Sequence, residues 1–400
     1  MDQITLYQAR WIVPVSRPPI ERGVIAVRNG EITAVGGRKE ISTVFPGELR
    51  DLGQGAILPG LINAHTHVEL SRLKGLIPEG LGFVSWVRRL LTLKEKTTPD
   101  HLAQVPDTAW EEISRRGASA VGNWVSPAGL SPRRGEKGPI RLTFFEIIGF
   151  TTRVLTLPED FGHGVVPDPD NGLTLGAHAP HSTSAALLQA AKAWTRGSGR
   201  PLAVHVAESP EETEFLFSGS GLWKDFLLER GKWVEGWKAP GTTPVEYLDH
   251  LGLLDEKTLA VHLTQADETD LSLLRKKNVR IAVCPRSNQF IVGSLPKIPF
   301  MLRTGLKPAL GTDSLASNRD LGLWGEMETV QQAFPEIDPS EIIRMATING
   351  ASALDLSGKL GDLAPGKMAR MFFLPLNEVN KAELPSAIIH SGGHGLEWLS

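Results

Sequence analysis

The chain has 400 residues, 41% hydrophobic and 22% charged, which is the composition of a protein with a large buried core. A net charge of −3 without any long basic run argues against nucleic acid as a partner, and no stretch of about 18 apolar residues is available to span a bilayer. The lone cysteine, Cys284, excludes an internal disulfide and fits a reducing compartment.

The first 15 residues, MDQITLYQARWIVPV, lack the basic start and apolar segment of a secretory signal, so a cytoplasmic location is expected. The first 55 residues read as β. GVIAVRNGEITAVGG (23–37) sets Asn29-Gly30 between two runs rich in β-branched residues, which predicts a hairpin. From there the pattern changes to short apolar runs that end in polar residues, separated by helix-like stretches. Eight such runs follow: AILPGLINAHTH, ASAVGNWVS, RLTFFEIIG, LTLGAHAPHS, PLAVHVAES, TLAVHL, RIAVCPRSN and KPALGTDS. Between them, TSAALLQAAKAW (183–194) predicts a helix capped by Ser182 or Thr183. ADETDLSLLRKK (266–277) predicts another, acidic at its start and basic at its end.

Eight strand–helix repeats over about 300 residues suit a (β/α)8 barrel, although alternation alone also fits an open doubly wound sheet. The polar residues separate the two. His65, His67, His178, His205, His262 and Asp313 all fall at the C-terminal ends of their runs. A barrel gathers those ends on one face, whereas an open sheet spreads them along an edge at about 4.8 Å per strand. One site requires the closed form. The expected fold is therefore α/β, a TIM barrel over 58–357 with a small β-sandwich built from 1–57 and 358–400. The long fifth connection, roughly 209–257, carries Phe215, Phe217, Trp223, Phe226, Trp233, Trp237 and Tyr247. It reads either as a lid or as an extra helical pair with its own small core.

In LINAHTHVELS (61–71), His65 and His67 lie two apart at a strand end and so project to one face. HVAES adds His205 and Glu208, VHLTQ adds His262 and GTDSLASN adds Asp313. Three imidazoles and one carboxylate make a ligand set for a borderline metal such as zinc, leaving a base and a further imidazole for catalysis.

Together, His-x-His after the LPG strand, His-x-x-Glu on the fifth strand, His on the sixth and TDSLASN on the eighth resemble the amidohydrolase superfamily, in its nucleobase-deaminase and chlorohydrolase branch. The resemblance covers nearly the whole chain, including GDLAPGKMA at 361–369. It implies that His65, His67, His205 and Asp313 hold one divalent metal, zinc first and iron second. It also implies that Glu208 shuttles protons to a ring nitrogen, that His262 orients the attacking water and that Asp313 accepts its proton. The fourth run, LTLGAHAPHS, lacks the lysine that bridges two metals in other members, so a single metal is expected. The single cysteine excludes the unrelated zinc-deaminase pattern with PCxxC.

Within that branch, HAPHS (178–182) resembles the substrate-contacting segment of adenosine-derivative deaminases, which makes His178 a substrate contact. Glu95, nine residues after Trp86, matches the position that binds ribose hydroxyls. CPRSN with TDSLASN looks most like aminodeoxyfutalosine deaminases of menaquinone synthesis, with Arg286 or Arg153 meeting a substrate carboxylate. The implied reaction is hydrolytic removal of the 6-amino group of an adenine nucleoside. Methylthioadenosine, S-adenosylhomocysteine and adenosine are the alternative substrates, followed by guanine or a chlorotriazine on the same site. The partners expected are a small nucleoside and further copies of the chain.

Overall fold

The computed structural model describes residues 4–96, 107–126, 138–157 and 171–399. The strands are β1 Ile4–Gln8, β2 Trp11–Ile12, β3 Ile20–Glu21, β4 Gly23–Arg28, β5 Glu31–Gly37, β6 Glu48–Asp51, β7 Gly55–Pro59 and β8 Leu61–Thr66. They continue with β9 Ala118–Val125, β10 Ile140–Ile147, β11 Asn171–Ala177, β12 Leu202–Val206, β13 Thr258–His262, β14 Arg280–Val283, β15 Pro308–Leu310, β16 Met371–Pro375 and β17 Glu397–Leu399.

Strands β8 to β15 pair in chain order as an eight-stranded parallel sheet, one strand from each run identified in the sequence. Its two ends join. Thr66 and Asp313 form a parallel bridge, and the N–H groups of Thr312 and Asp313 donate to the His65 carbonyl at 3.0 and 3.1 Å. Asn63 reinforces the seam, its Nδ2 donating to Thr312 Oγ1 at 2.8 Å and its Oδ1 accepting the Thr312 N–H at 3.1 Å. The sheet is therefore a closed (β/α)8 barrel, as the convergence argument required. Trp124, Phe144, Ile62, Leu259, Val261 and small alanines fill its interior. A buried side chain of the Leu or Ile class contributes about 1.5–3 kcal/mol.

The chain ends supply two more sheets, in the orders β5-β4-β1-β6 and β17-β16-β7-β2-β3. Tyr7, Ile25 and Val27 of the first share a core with Ile12, Ile57, Met371 and Phe373 of the second. The β4–β5 hairpin turns at Asn29 and Gly30, with φ of 53° and 75°, the two left-handed residues that a two-residue hairpin loop of this twist demands. The C-terminal segment is not all β. The helix Leu384–His390 buries Leu384, Ile388 and Ile389 in the core that the barrel helices share.

Two local expectations need revision. The helix after β11 begins at Ala185, capped by Ser184 Oγ on the Leu187 N–H at 3.2 Å, because Thr183 is extended in a bridge with Gly149. The 209–257 connection holds three helices, Pro210–Ser218, Leu222–Glu229 and Pro244–His250. Phe215 lies flat on Trp237, with centroids 4.6 Å apart, and packs with Trp223, Phe226, Phe83 and Trp86 in one aromatic core, while Phe217 is exposed. No helix among the described residues is long and apolar enough to cross a membrane.

Candidate active site

The C-terminal ends of the barrel strands bring His65, His67, His178, His205, Glu208, His262 and Asp313 to one mouth. His65 closes on His205, Nε2 to Nε2, at 3.3 Å. The Nε2 atoms of His65 and His67 each stand 3.9 Å from Asp313 Oδ1. One ligating nitrogen from each of His65, His67 and His205 lies within 4.8 Å of the others. Burial lowers the proton affinity of all three rings, well below the usual range for His65 and His205 and to about 3 for His67. Neutral imidazoles with converging lone pairs and a carboxylate among them fit a divalent ion. Trp124 backs the cluster, its ring stacked on His205 at a centroid distance of 4.2 Å.

Asp313 is held from the side away from the imidazoles. Its Oδ2 accepts Ser287 Oγ at 2.5 Å and Ser317 Oγ at 3.0 Å. Burial nevertheless raises its pKa to about 6, against the pull of those hydrogen bonds. Glu208 is more strongly affected: burial, with Asp313 and Glu212 nearby, pushes its carboxyl well above the ordinary range. Its Oε1 is 3.6 Å from His262 Nε2. With Asn288 Nδ2 donating to His262 Nδ1 at 3.2 Å, the His262 proton sits on Nε2, facing Glu208. Backbone strain concentrates here: Ala207, His262, Leu263 and Asp313 take φ of 52°, 77°, 57° and 55° without being glycine.

His178 sits beside the cluster, with its ring 5.2 Å from His205 and its Nδ1 2.6 Å from Ser182 Oγ. Three other candidates are not brought in with these residues. Glu95 is exposed at the end of the helix Phe83–Glu95 and pairs with Arg230 at 2.6 Å. The neighbouring Lys94 points the other way, 3.9 Å from buried Glu69, and its charge acts on His67. Arg286 opens the helix Pro285–Val292, where its guanidinium packs on Gly325 and pairs with Asp320 at 3.3 Å. Arg153 is exposed in the loop after β10. Conversely, Trp124, Glu146, Ser287, Asn288, Ser317 and Glu212 belong to the site or its supports. Only CPRSN and TDSLASN carried a sequence signal for any of them.

Proteins of known name resemble this chain along most of its length. A 5-methylthioadenosine/S-adenosylhomocysteine deaminase of Syntrophobacter fumaroxidans is 28% identical over 385 residues, 92% of this chain and 83% of its own length. An aminodeoxyfutalosine deaminase of Deinococcus radiodurans is 26% identical over 343 residues, 82% of this chain and 80% of its own. Among solved structures, an adenosine deaminase from Xanthomonas campestris with bound zinc superposes with a TM-score of 0.78 at 23% identity, covering 96% of this chain and 89% of that one. At that identity the likeness establishes the fold. The model of the amidohydrolase family matches residues 169–392, more than half of the chain and the stretch that carries His178, His205, Glu208, His262 and Asp313, so this chain belongs to the amidohydrolase family of hydrolases.

Proposed function

We propose that this enzyme hydrolytically removes the 6-amino group of an adenine nucleoside, releasing ammonia. The observation that carries the reading is the Glu208–His262 pair, 3.6 Å apart and buried beside the imidazole cluster, in a chain whose relatives of similar length are named as adenine-nucleoside deaminases. A divalent ion held by His65, His67, His205 and Asp313 would act as a Lewis acid and make water a nucleophile at neutral pH.

The protein's own groups do the rest. An aromatic C–NH2 carbon resists attack until its ring nitrogen gains a proton. Glu208, whose hold on a proton is strengthened by burial, supplies that proton, a step worth about 10²–10⁴-fold. Asp313 accepts a proton from the attacking water, and His262 donates through Nε2 to the oxygen that develops charge. The amine is then protonated and leaves as ammonia, so one water is consumed for each ammonia released. His178 orients the ring.

The relatives favour a nucleoside altered at its 5′ position, methylthioadenosine or S-adenosylhomocysteine. Arg286 would have anchored a substrate carboxylate, but Asp320 engages it. Aminodeoxyfutalosine is the second reading, supported by one relative and by exposed Arg153 at the strand-three loop. Ammonia release by metal-loaded protein, compared as kcat/KM over these substrates, adenosine, guanine and a chlorotriazine, tests both. A preference for any adenine nucleoside of at least about a hundredfold is expected, and failure to turn over all of them while metal is bound overturns the reading.

A further inference from the structure

We infer that Glu146 accepts a hydrogen bond from the 6-amino group of the substrate and so selects an amine, over other groups at that carbon, as the group that leaves. The inference rests on the deaminase reading and assigns the recognition of its leaving group.

Side chains alternate along β10. Phe145 and Ile147 pack outward in the core shared with the helices, whereas Phe144 lies inside the barrel, stacked on Trp124 at a centroid distance of 5.8 Å. Glu146 follows Phe144 on the inner face, at the strand end. One of its carboxylate oxygens lies within 4.8 Å of a ring nitrogen of His178 and of one of His205. The carboxyl thus stands at the depth of the imidazole cluster, where the reacting carbon must come.

Glu146 is half-buried, yet its carboxylate meets no hydrogen-bond or ion-pair partner among the described residues. Glu69 and Asp313 add negative charge around it, and the cation acting on it, Lys94, lies 3.9 Å from Glu69. Polar groups taken out of water are ordinarily paired, so this carboxylate is matched by a donor that arrives with the substrate. In an adenine base joined to a sugar at N9, the nitrogens N1, N3 and N7 only accept, and the 6-amino group is the one donor.

The placement of Glu208 agrees. The barrel order is β10-β11-β12-β13, and Glu208, which follows β12, faces His262 of β13 at 3.6 Å. The two carboxyls therefore flank His205 from different sides. N1 and the amino nitrogen are both bonded to C6, so a base whose N1 meets Glu208 can offer its amino group to Glu146. No proton moves in this contact. The amine keeps both hydrogens, one of them held by Glu146, and its lone pair takes the proton with which it leaves as ammonia.

The test compares an adenine nucleoside with its 6-chloropurine analogue bearing the same sugar, which has no N–H to donate at that carbon. Ammonia and chloride release are measured with metal-loaded full chain, and the readout is the ratio of the two kcat/KM values. Glu146→Ala should lower the ratio of amine to chloride about tenfold to a hundredfold, the effect of a hydrogen bond to a charged group. Glu146→Gln keeps a carbonyl acceptor and should fall between Glu146→Ala and the wild type. Metal content of each preparation reports that the site is folded; if Glu146→Ala loses its metal, Glu146→Gln carries the test. If the wild type binds the chloride without hydrolysing it, its Ki as a competitive inhibitor replaces its kcat/KM in the ratio. A ratio unchanged by the substitution overturns the inference, because a merely structural role would slow both substrates alike. If the wild type turns over no adenine nucleoside, the function proposed above fails; if it does and the ratio holds, only the role of Glu146 fails.

Discussion

Glu212 Oε2 accepts the backbone N–H of Glu208 at 2.9 Å, while its Oε1 stands 3.6 Å from His181 Nδ1. All three side chains are buried, and Trp223 caps the pair by donating to the His181 carbonyl at 2.9 Å. The proposed proton donor is thus fixed to a buried His–Glu pair that ties the loop after β11 to the helix Pro210–Ser218. Glu212→Ala leaves the Glu208 N–H buried without an acceptor, a loss of about 1–3 kcal/mol. We expect kcat to fall about tenfold to a hundredfold, with metal content unchanged and KM within about twofold. Glu212→Gln keeps a carbonyl acceptor and should restore most of the rate. Equal rates in the Ala variant and the wild type would remove Glu212 from any positioning role.

Glu208 itself is separable from the ligands. Its carboxyl faces His262 rather than the His65–His205 contact, so Glu208→Gln should retain stoichiometric metal. Turnover should drop by at least about 10²-fold, the contribution of a positioned acid. Metal analysis and ammonia release on the same preparation decide the matter, and near-normal turnover would take the proton-transfer role away from Glu208.

The residues that the sequence made legible are those fixed by backbone period. His65 and His67 share a face because strand side chains alternate, and His178, His205, His262 and Asp313 meet because parallel strands end on one rim. What stayed hidden depends on packing. One residue on a helix is about 100° of rotation, enough to send Lys94 toward the mouth and Glu95 out to Arg230. Arg286 sits beside the site in sequence, but Asp320, 34 positions away, claims its guanidinium. Glu146 lies within an apolar strand run, where nothing local marks it as facing two imidazoles.

Glu326 gives the fold a pH signature. It is fully buried, accepting the Arg286 N–H at 2.9 Å and Asn318 Nδ2 at 2.8 Å. Burial raises its pKa from 4.5 to about 7, with Arg286 and these hydrogen bonds opposing. The folded state therefore binds this proton more tightly than the unfolded state. Its contribution is fully favourable below pH 4.5 and is lost as pH rises toward 7, by about 3 kcal/mol over the window. In Glu326→Gln that slope disappears, on top of a constant offset from the altered hydrogen bonds. The difference in unfolding free energy between wild type and variant should shift in the variant's favour from pH 5 to 8. A difference independent of pH would mean that Glu326 is ionised in the folded protein.

Metal removal should register in stability as well as in rate. Three imidazoles and Asp313 converge in a closed barrel mouth, and an ion bound only by the folded state stabilises it by about 2.7 kcal/mol at a hundredfold excess over Kd. Chelation should lower Tm, and readdition of zinc should restore it. His205→Ala removes the ring that lies 3.3 Å from His65 and stacks on Trp124, so occupancy and the zinc-dependent rise in Tm should vanish together. The contrast with Glu208→Gln is the decisive one. Both variants should lose activity, but only Glu208→Gln should keep the zinc-dependent rise. Full occupancy in His205→Ala would show that the metal is held by a different set of residues.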